Sequence, residues 1–171
     1  MIRSVLKITI VLLFLLSSSA LAQTSSSAAP KPVLLSVNGE VPKPLQLTAD
    51  ELAKLPRRSI RAKDHAGREA GYEGIEVGEI LKLAGIKFGD DLRGKALALF
   101  LVAEATDHYR AVFALPEFDH DYTDKVVLLA DSRDGKPLAA NEGPLRLVVS
   151  DEKRQARWVR QVITFSIRRA E

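Results

Sequence analysis

Five apolar runs crowd the chain between Lys95 and Ile167, each of strand length and each bounded by turn or charged residues. KALALFLVAEA is continuously apolar, as a strand buried on both faces would be, whereas HYRAVFAL alternates and puts Tyr109, Ala111, Phe113 and Leu115 on one face. Only Glu104 to Asp107 separate the two, so they are expected to form a hairpin. KVVLLADSRDGKPL reads as a strand running into an Asp134-Gly135 turn, followed by strands in LRLVVS and VITFSI. A strand-rich half of this kind excludes a helical bundle and demands a sheet with a covered face.

The preceding half adds helices, but short ones. VLLSVNGEV is a strand closing on Asn38-Gly39, and RRSIRAK is a second strand. In LTADELAKLP, Thr48 and Glu51 have capping-box spacing, Leu52 and Leu55 form a small stripe, and Pro56 ends the turn. GIEVGEILKLAG places Val77, Ile80, Leu81 and Ala84 at helical spacing, with Gly85 at the C-terminal cap. Short helices early and strands late predict an α+β domain with a mixed sheet, not a doubly wound one.

The first residues fall outside that fold. Arg3 and Lys7 precede an apolar run from Ile8 to Leu16, and Ala20-Leu21-Ala22 has the A-x-A form of a cleavage site, which predicts a signal peptide over residues 1–22. TSSSAAPKP makes 23–31 a flexible lead-in, leaving 32–171 as a single domain. The expected location is periplasmic or secreted, with no membrane span after cleavage. Without Arg3 and Lys7 the 25 basic residues become 23 against 22 acidic ones, so the net charge of +3 falls to +1. That near-balance gives no drive for counterion release and argues against nucleic acid as a partner. The chain has no Cys, so it has no disulfide and no thiolate.

Phosphate-binding glycine loops, the nucleophile elbow and the H-E-x-x-H zinc motif do not occur. All three histidines directly follow an aspartate: Asp64-His65, Asp107-His108 and Asp119-His120, although Asp makes up only 11 of 171 residues. A carboxylate can fix the tautomer of an imidazole and raise its basicity, yet adjacent residues on an extended chain point to opposite faces. Each His is therefore expected to meet a carboxylate from another loop. Asp64 and His65 are candidate acid–base residues, and converging His loops could line a polar pocket. No metal set is assigned, because no H-x-H or H-x₃-H spacing appears.

SDEKRQARWVRQ gathers Lys153, Arg154, Arg157 and Arg160 around Trp158, the only Trp. Such a cluster can grip an oxyanion, and it can equally be a solvated charge run beside one core aromatic. Arg110 lies opposite Tyr109 in the alternation and could face a pocket or solvent; Glu73 reads as a surface residue.

The order of four motifs, YEGIEVGEILKLAG, ATDHYRAVFAL, VVLLADSRDGKPL and EGPLRLVVSDEKRQARWVRQV, resembles the oxidoreductase molybdopterin-binding domain, the sulfite oxidase fold, over Val33 to Ile167. The resemblance implies an α+β, mixed-sheet domain that holds a molybdenum-pterin cofactor. It also implies that RAKDHAGREAG, ahead of Tyr72-Glu73-Gly74, stands where the family carries its molybdenum-ligating Cys. That Cys is absent here, and neither Asp64 nor His65 replaces a soft thiolate. By the same resemblance, His108, Tyr109, Arg110, Lys153 and Arg157 are the cofactor-binding residues, and the loops of His65 and His108 approach each other. The expectation is an exported domain that binds a pterin such as molybdopterin, or another small anionic ligand, without ordinary molybdenum catalysis, beside a redox or signalling partner protein. The alternatives are an enzyme with a recruited His/Asp centre, or a non-catalytic periplasmic interaction module.

Overall fold

The computed structural model describes residues 31–171, and the expected signal peptide and most of the lead-in lie outside them. Ten strands form two five-stranded sheets. The first sheet has the order β2-β1-β10-β5-β6, built from β1 Val33–Gly39, β2 Leu45–Thr48, β5 Leu99–Ala105, β6 Arg110–Ala114 and β10 Val162–Arg169. It is mixed, since β1 runs parallel to β10 while the other neighbours are antiparallel. The second sheet is antiparallel and has the order β3-β4-β7. Its strands are β3 Arg58–Lys63, β4 Glu69–Glu76 and β7 Val127–Arg133, with β8 Lys136–Pro137 and β9 Arg146–Val149 pairing different stretches of β7.

Alternation decides which faces are buried. Leu35 and Val37 of β1, Leu101 and Ala103 of β5, Phe113 of β6, and Phe165 and Ile167 of β10 point inward and are sealed from solvent. They join Tyr72, Ile75, Leu128, Leu129, Leu147 and Val149 of the second sheet in one core cluster. Helix α2, Val77–Leu83, adds Val77, Ile80 and Leu81, with Ala84 just beyond, all fully buried as their spacing predicts. Helix α1 is a single turn, Ala49–Leu52, held by the expected reciprocal bonds between Thr48 and Glu51. Among the described residues no helix is long and apolar enough to cross a membrane.

Three segments differ from the sequence reading. No strand was expected between RRSIRAK and GIEVGEILKLAG, yet Glu69–Glu76 is β4 and only Asp64 to Arg68 turn. Gly74 lies within that strand because a β-carbon there would stand 2.0 Å from the Leu129 carbonyl oxygen of β7. The KALALFLVAEA strand begins only at Leu99, after a 3₁₀ turn over Gly94–Ala98. Tyr109 does not share the buried face of Ala111 and Phe113; it sits before β6 and is 49% exposed.

A basic cleft between four chain segments as candidate functional site

The two sheets bring four segments together at one end of the fold. Their side chains enclose a cleft of about 700 Å³. The β3–β4 turn supplies His65, the β5–β6 turn supplies Asp107 and Tyr109, and the loop before β9 supplies Asn141. The segment between β9 and β10 supplies Lys153, Arg154, Gln155, Trp158, Arg160 and Gln161.

Each turn is fixed by a carboxylate that bonds the backbone. Asp64 is buried, and its Oδ1 accepts from the N–H groups of Ala66 and Arg68, both at 2.9 Å. Its Oδ2 accepts from Arg133 Nη2 at 2.8 Å and from Arg68 Nε at 3.2 Å. Arg133 first, and the Arg68 backbone next, hold the Asp64 carboxyl far below the usual carboxylate range. Asp107 accepts from the Tyr109 N–H at 3.0 Å, which supports His108 at φ +67. Asp119, also buried, accepts from the Gly89 N–H at 2.7 Å and the Asp121 N–H at 3.1 Å.

The three Asp-His pairs thus divide their labour: the aspartate holds the turn and the imidazole faces away. His120 meets Glu76, from a distant segment, at 2.9 Å. His108 meets Glu104 across its own hairpin at 3.1 Å, and Glu104 also receives Arg110 at 2.9 Å. Arg110 and then His108 lower the Glu104 carboxyl. His65 stands on the cleft wall. Asp64 and His65 are therefore not an acid–base dyad, because the carboxylate is saturated by guanidinium and backbone donors on the other side. Among the described residues no group of three or more His, Cys, Asp or Glu could hold a metal ion.

The five expected cofactor-binding residues separate into two groups. Tyr109 and Lys153 line the cleft, with Tyr109 Oη donating to the Ala156 carbonyl at 2.6 Å. His108 and Arg110 point to Glu104 instead. Arg157 is withdrawn from the cleft: its Nε donates to Glu152 at 2.8 Å, its Nη1 to Glu117 at 2.9 Å, and its guanidinium lies 4.4 Å from the Phe113 ring centre. Burial works against the Arg157 charge, and Glu152 and Glu117 outweigh it, so its proton is held more tightly than usual. By contrast Lys153, Arg154 and Arg160 have no carboxylate within ion-pair distance among the described residues, and all three face the cleft.

Two amides that the sequence did not signal shape the site. Gln155 Nε2 donates to the Lys63 carbonyl at 2.9 Å and ties the basic loop to the end of β3. Gln161, at φ +48, accepts from Thr106 Oγ1 at 3.1 Å and donates to the Ala140 carbonyl at 2.9 Å, joining three walls of the cleft. Amides have no periodic or charge signature, and of these two only Gln161 stands out, by its left-handed backbone. Trp158 is 4% exposed; it packs edge-on against Tyr72 at 5.7 Å and under the Arg146 guanidinium at 5.4 Å.

Two sheets with few short helices and a basic cleft where their loops meet define an α+β domain of the sulfite-oxidase type. The family model for the oxidoreductase molybdopterin binding domain matches residues 23–170, and the chain belongs to this family. Among solved structures, the crystal structure of the sulfane dehydrogenase SoxCD from Paracoccus pantotrophus is similar, with a TM-score of 0.60 and 23% identity. The match covers 78% of this chain and 37% of that one, so the chain spans little more than a third of SoxCD. No curated protein matches.

The donor set decides how far the family's cofactor suits this chain. Molybdenum does not fit: there is no thiolate anywhere, Asp64 has both oxygens engaged, and an imidazole is a harder ligand than the sulfur it would replace. The rest of the lining is compatible with the organic, anionic part of that cofactor, since three unpaired cations, three amides and an imidazole face one space.

Proposed function

We propose that this protein is an exported member of the molybdopterin-binding family that holds a small anionic ligand, a phosphorylated pterin or a compound of like charge, and does not carry out molybdenum oxygen transfer. The observation that carries this reading is the contrast within one loop. Arg157 is neutralised by two carboxylates, while Lys153, Arg154 and Arg160 around it are left unpaired toward the cleft. Unpaired cations on a loop anchored at both walls are preorganised for charge-assisted bonds to an anion. Arg154 and Arg160 would grip oxyanion oxygens, Lys153 would act as a point charge, and Asn141 and Gln161 would orient polar edges. Export is supported by the leader-like residues 1–22.

Trp158 is the only tryptophan and touches the cleft, so its emission reports binding directly. Titration with a phosphorylated pterin and with inorganic phosphate should give a saturable change. Arg160→Gln should raise Kd at least about tenfold, the loss of one charge-assisted bond. Protein exported with its own leader should contain no stoichiometric molybdenum. A full molar equivalent of molybdenum would overturn the non-catalytic part, and unresponsive emission with both probes would overturn anion binding.

A further inference from the structure

A second cleft, of about 380 Å³, lies against the first. The two share Lys153 and Trp158, so the basic loop is a ridge with a hollow on each side. Arg61, Ala62 and Lys63, consecutive residues of β3, line the second hollow together with Asp151. β3 is the edge strand of its sheet and pairs only with β4. Its free side carries the single Gln155 bond to the Lys63 carbonyl.

The charges along this path are unevenly balanced. Arg61 is paired with Glu69, and Arg157 with Glu152 and Glu117. Among the described residues Lys63, Lys153, Arg154 and Arg160 have no carboxylate partner, and they face only two carboxylates, Asp107 and Asp151, that have no cation partner. The ridge itself is anchored by Gln155, by Tyr109 on the Ala156 carbonyl, and by the Arg157 clamp. A small ligand seated in the first cleft leaves Lys63 without a role. An extended chain, advancing about 3.3 Å per residue, can present carboxylates to both hollows.

We infer that the two clefts form one docking groove for an acidic, extended segment of a partner protein, lying along the free edge of β3 and over Lys153 into the first cleft. Main-chain bonding to an edge strand combined with charge-selective pockets is an established mode of peptide capture. Asp107 and Asp151 favour a peptide over a nucleic acid strand, because a peptide backbone is uncharged and offers them N–H donors, whereas a phosphodiester backbone repels them and offers none. The inference rests on the reading that the first cleft takes anions, and extends it to a macromolecule.

The test measures anisotropy of a labelled dodecapeptide of alternating Glu and Ser, with a dT12 oligonucleotide as a parallel arm and the Trp158 phosphate titration alongside. Lys63→Glu alters the second hollow alone; it should weaken the peptide about fivefold or more and leave phosphate binding unchanged. Arg160→Gln should weaken both. Lys63→Gln, which introduces no new charge, should fall between wild type and Lys63→Glu. Equal peptide affinity for wild type and Lys63→Glu overturns the groove, as does tighter binding of dT12 than of the peptide. Phosphate binding without peptide binding removes the groove and leaves the proposed function intact; peptide binding with no emission response to either phosphate or the phosphorylated pterin removes the proposed function.

Discussion

Replacing Arg157 by Met separates a brace from a ligand contact. Met keeps most of the apolar stem over Phe113 but removes the guanidinium that two carboxylates share. Glu152 is 12% exposed and Glu117 30%, so both would be left unpaired in a largely desolvated setting. Orphaning a buried ion-pair partner costs about 3–5 kcal/mol, and an exposed pair is worth about 0–1. With Arg157 itself 30% exposed, the expected loss is about 2–3 kcal/mol. For a domain of this size that is a fall in Tm of roughly 6–12 °C. Thermal melts followed by circular dichroism give the stability, and Trp158 emission gives phosphate affinity on the same sample. Kd should move by no more than about twofold, since Arg157 lies outside the cleft. Adding Glu152→Gln to Arg157→Met should restore part of the lost stability by removing an orphaned charge. A Tm unchanged within about 1 °C together with a tenfold loss of affinity would refute the brace and make Arg157 a ligand contact.

The Asp64 carboxyl is lowered in the folded state, so the stability it contributes is present above its ordinary pKa of about 4 and is lost as pH falls below it. Asp64→Asn should therefore melt lower than wild type at pH 7 and show a shallower fall between about pH 4 and pH 2; parallel curves would dismiss the staple. Gly74→Ala must push β4 from β7, because its β-carbon would meet backbone at 2.0 Å. A loss of about 3 kcal/mol or more in urea unfolding is expected, and an unchanged midpoint would show that the two strands part at no cost.

The elements legible in the sequence were those whose side chains reported their own burial. Val77, Ile80, Leu81 and Ala84 announced α2, and the apolar runs announced β5, β6, β7, β9 and β10. β4 was hidden because what it answers to lies across the sheet: Gly74 is small for the sake of the Leu129 carbonyl, and Gly71 turns its N–H to Asp134 at 2.8 Å. β2 was hidden by its four-residue length. In the site, the basic run pointed to Lys153, whereas Tyr109 was reached only through the family resemblance, the alternation having put it on a buried face. Nothing near Arg157 in sequence distinguishes it from Arg154 or Arg160, since one of the acids that claims it, Glu117, lies 40 residues away. The opposed faces of adjacent residues already separated Asp64 from His65, but nothing in the sequence showed that the carboxylate turns to Arg133, 69 residues on.

That last separation bears on how this scaffold can change. Asp64 shapes the β3–β4 turn through backbone and guanidinium bonds that involve no atom of residue 65. The imidazole beside it is exposed on the cleft wall, so the position is free to vary chemically while its geometry is inherited from its neighbour. A lineage could lose or gain a reactive side chain at such a point without refolding the loop, and a protein engineer could do the same with a single codon.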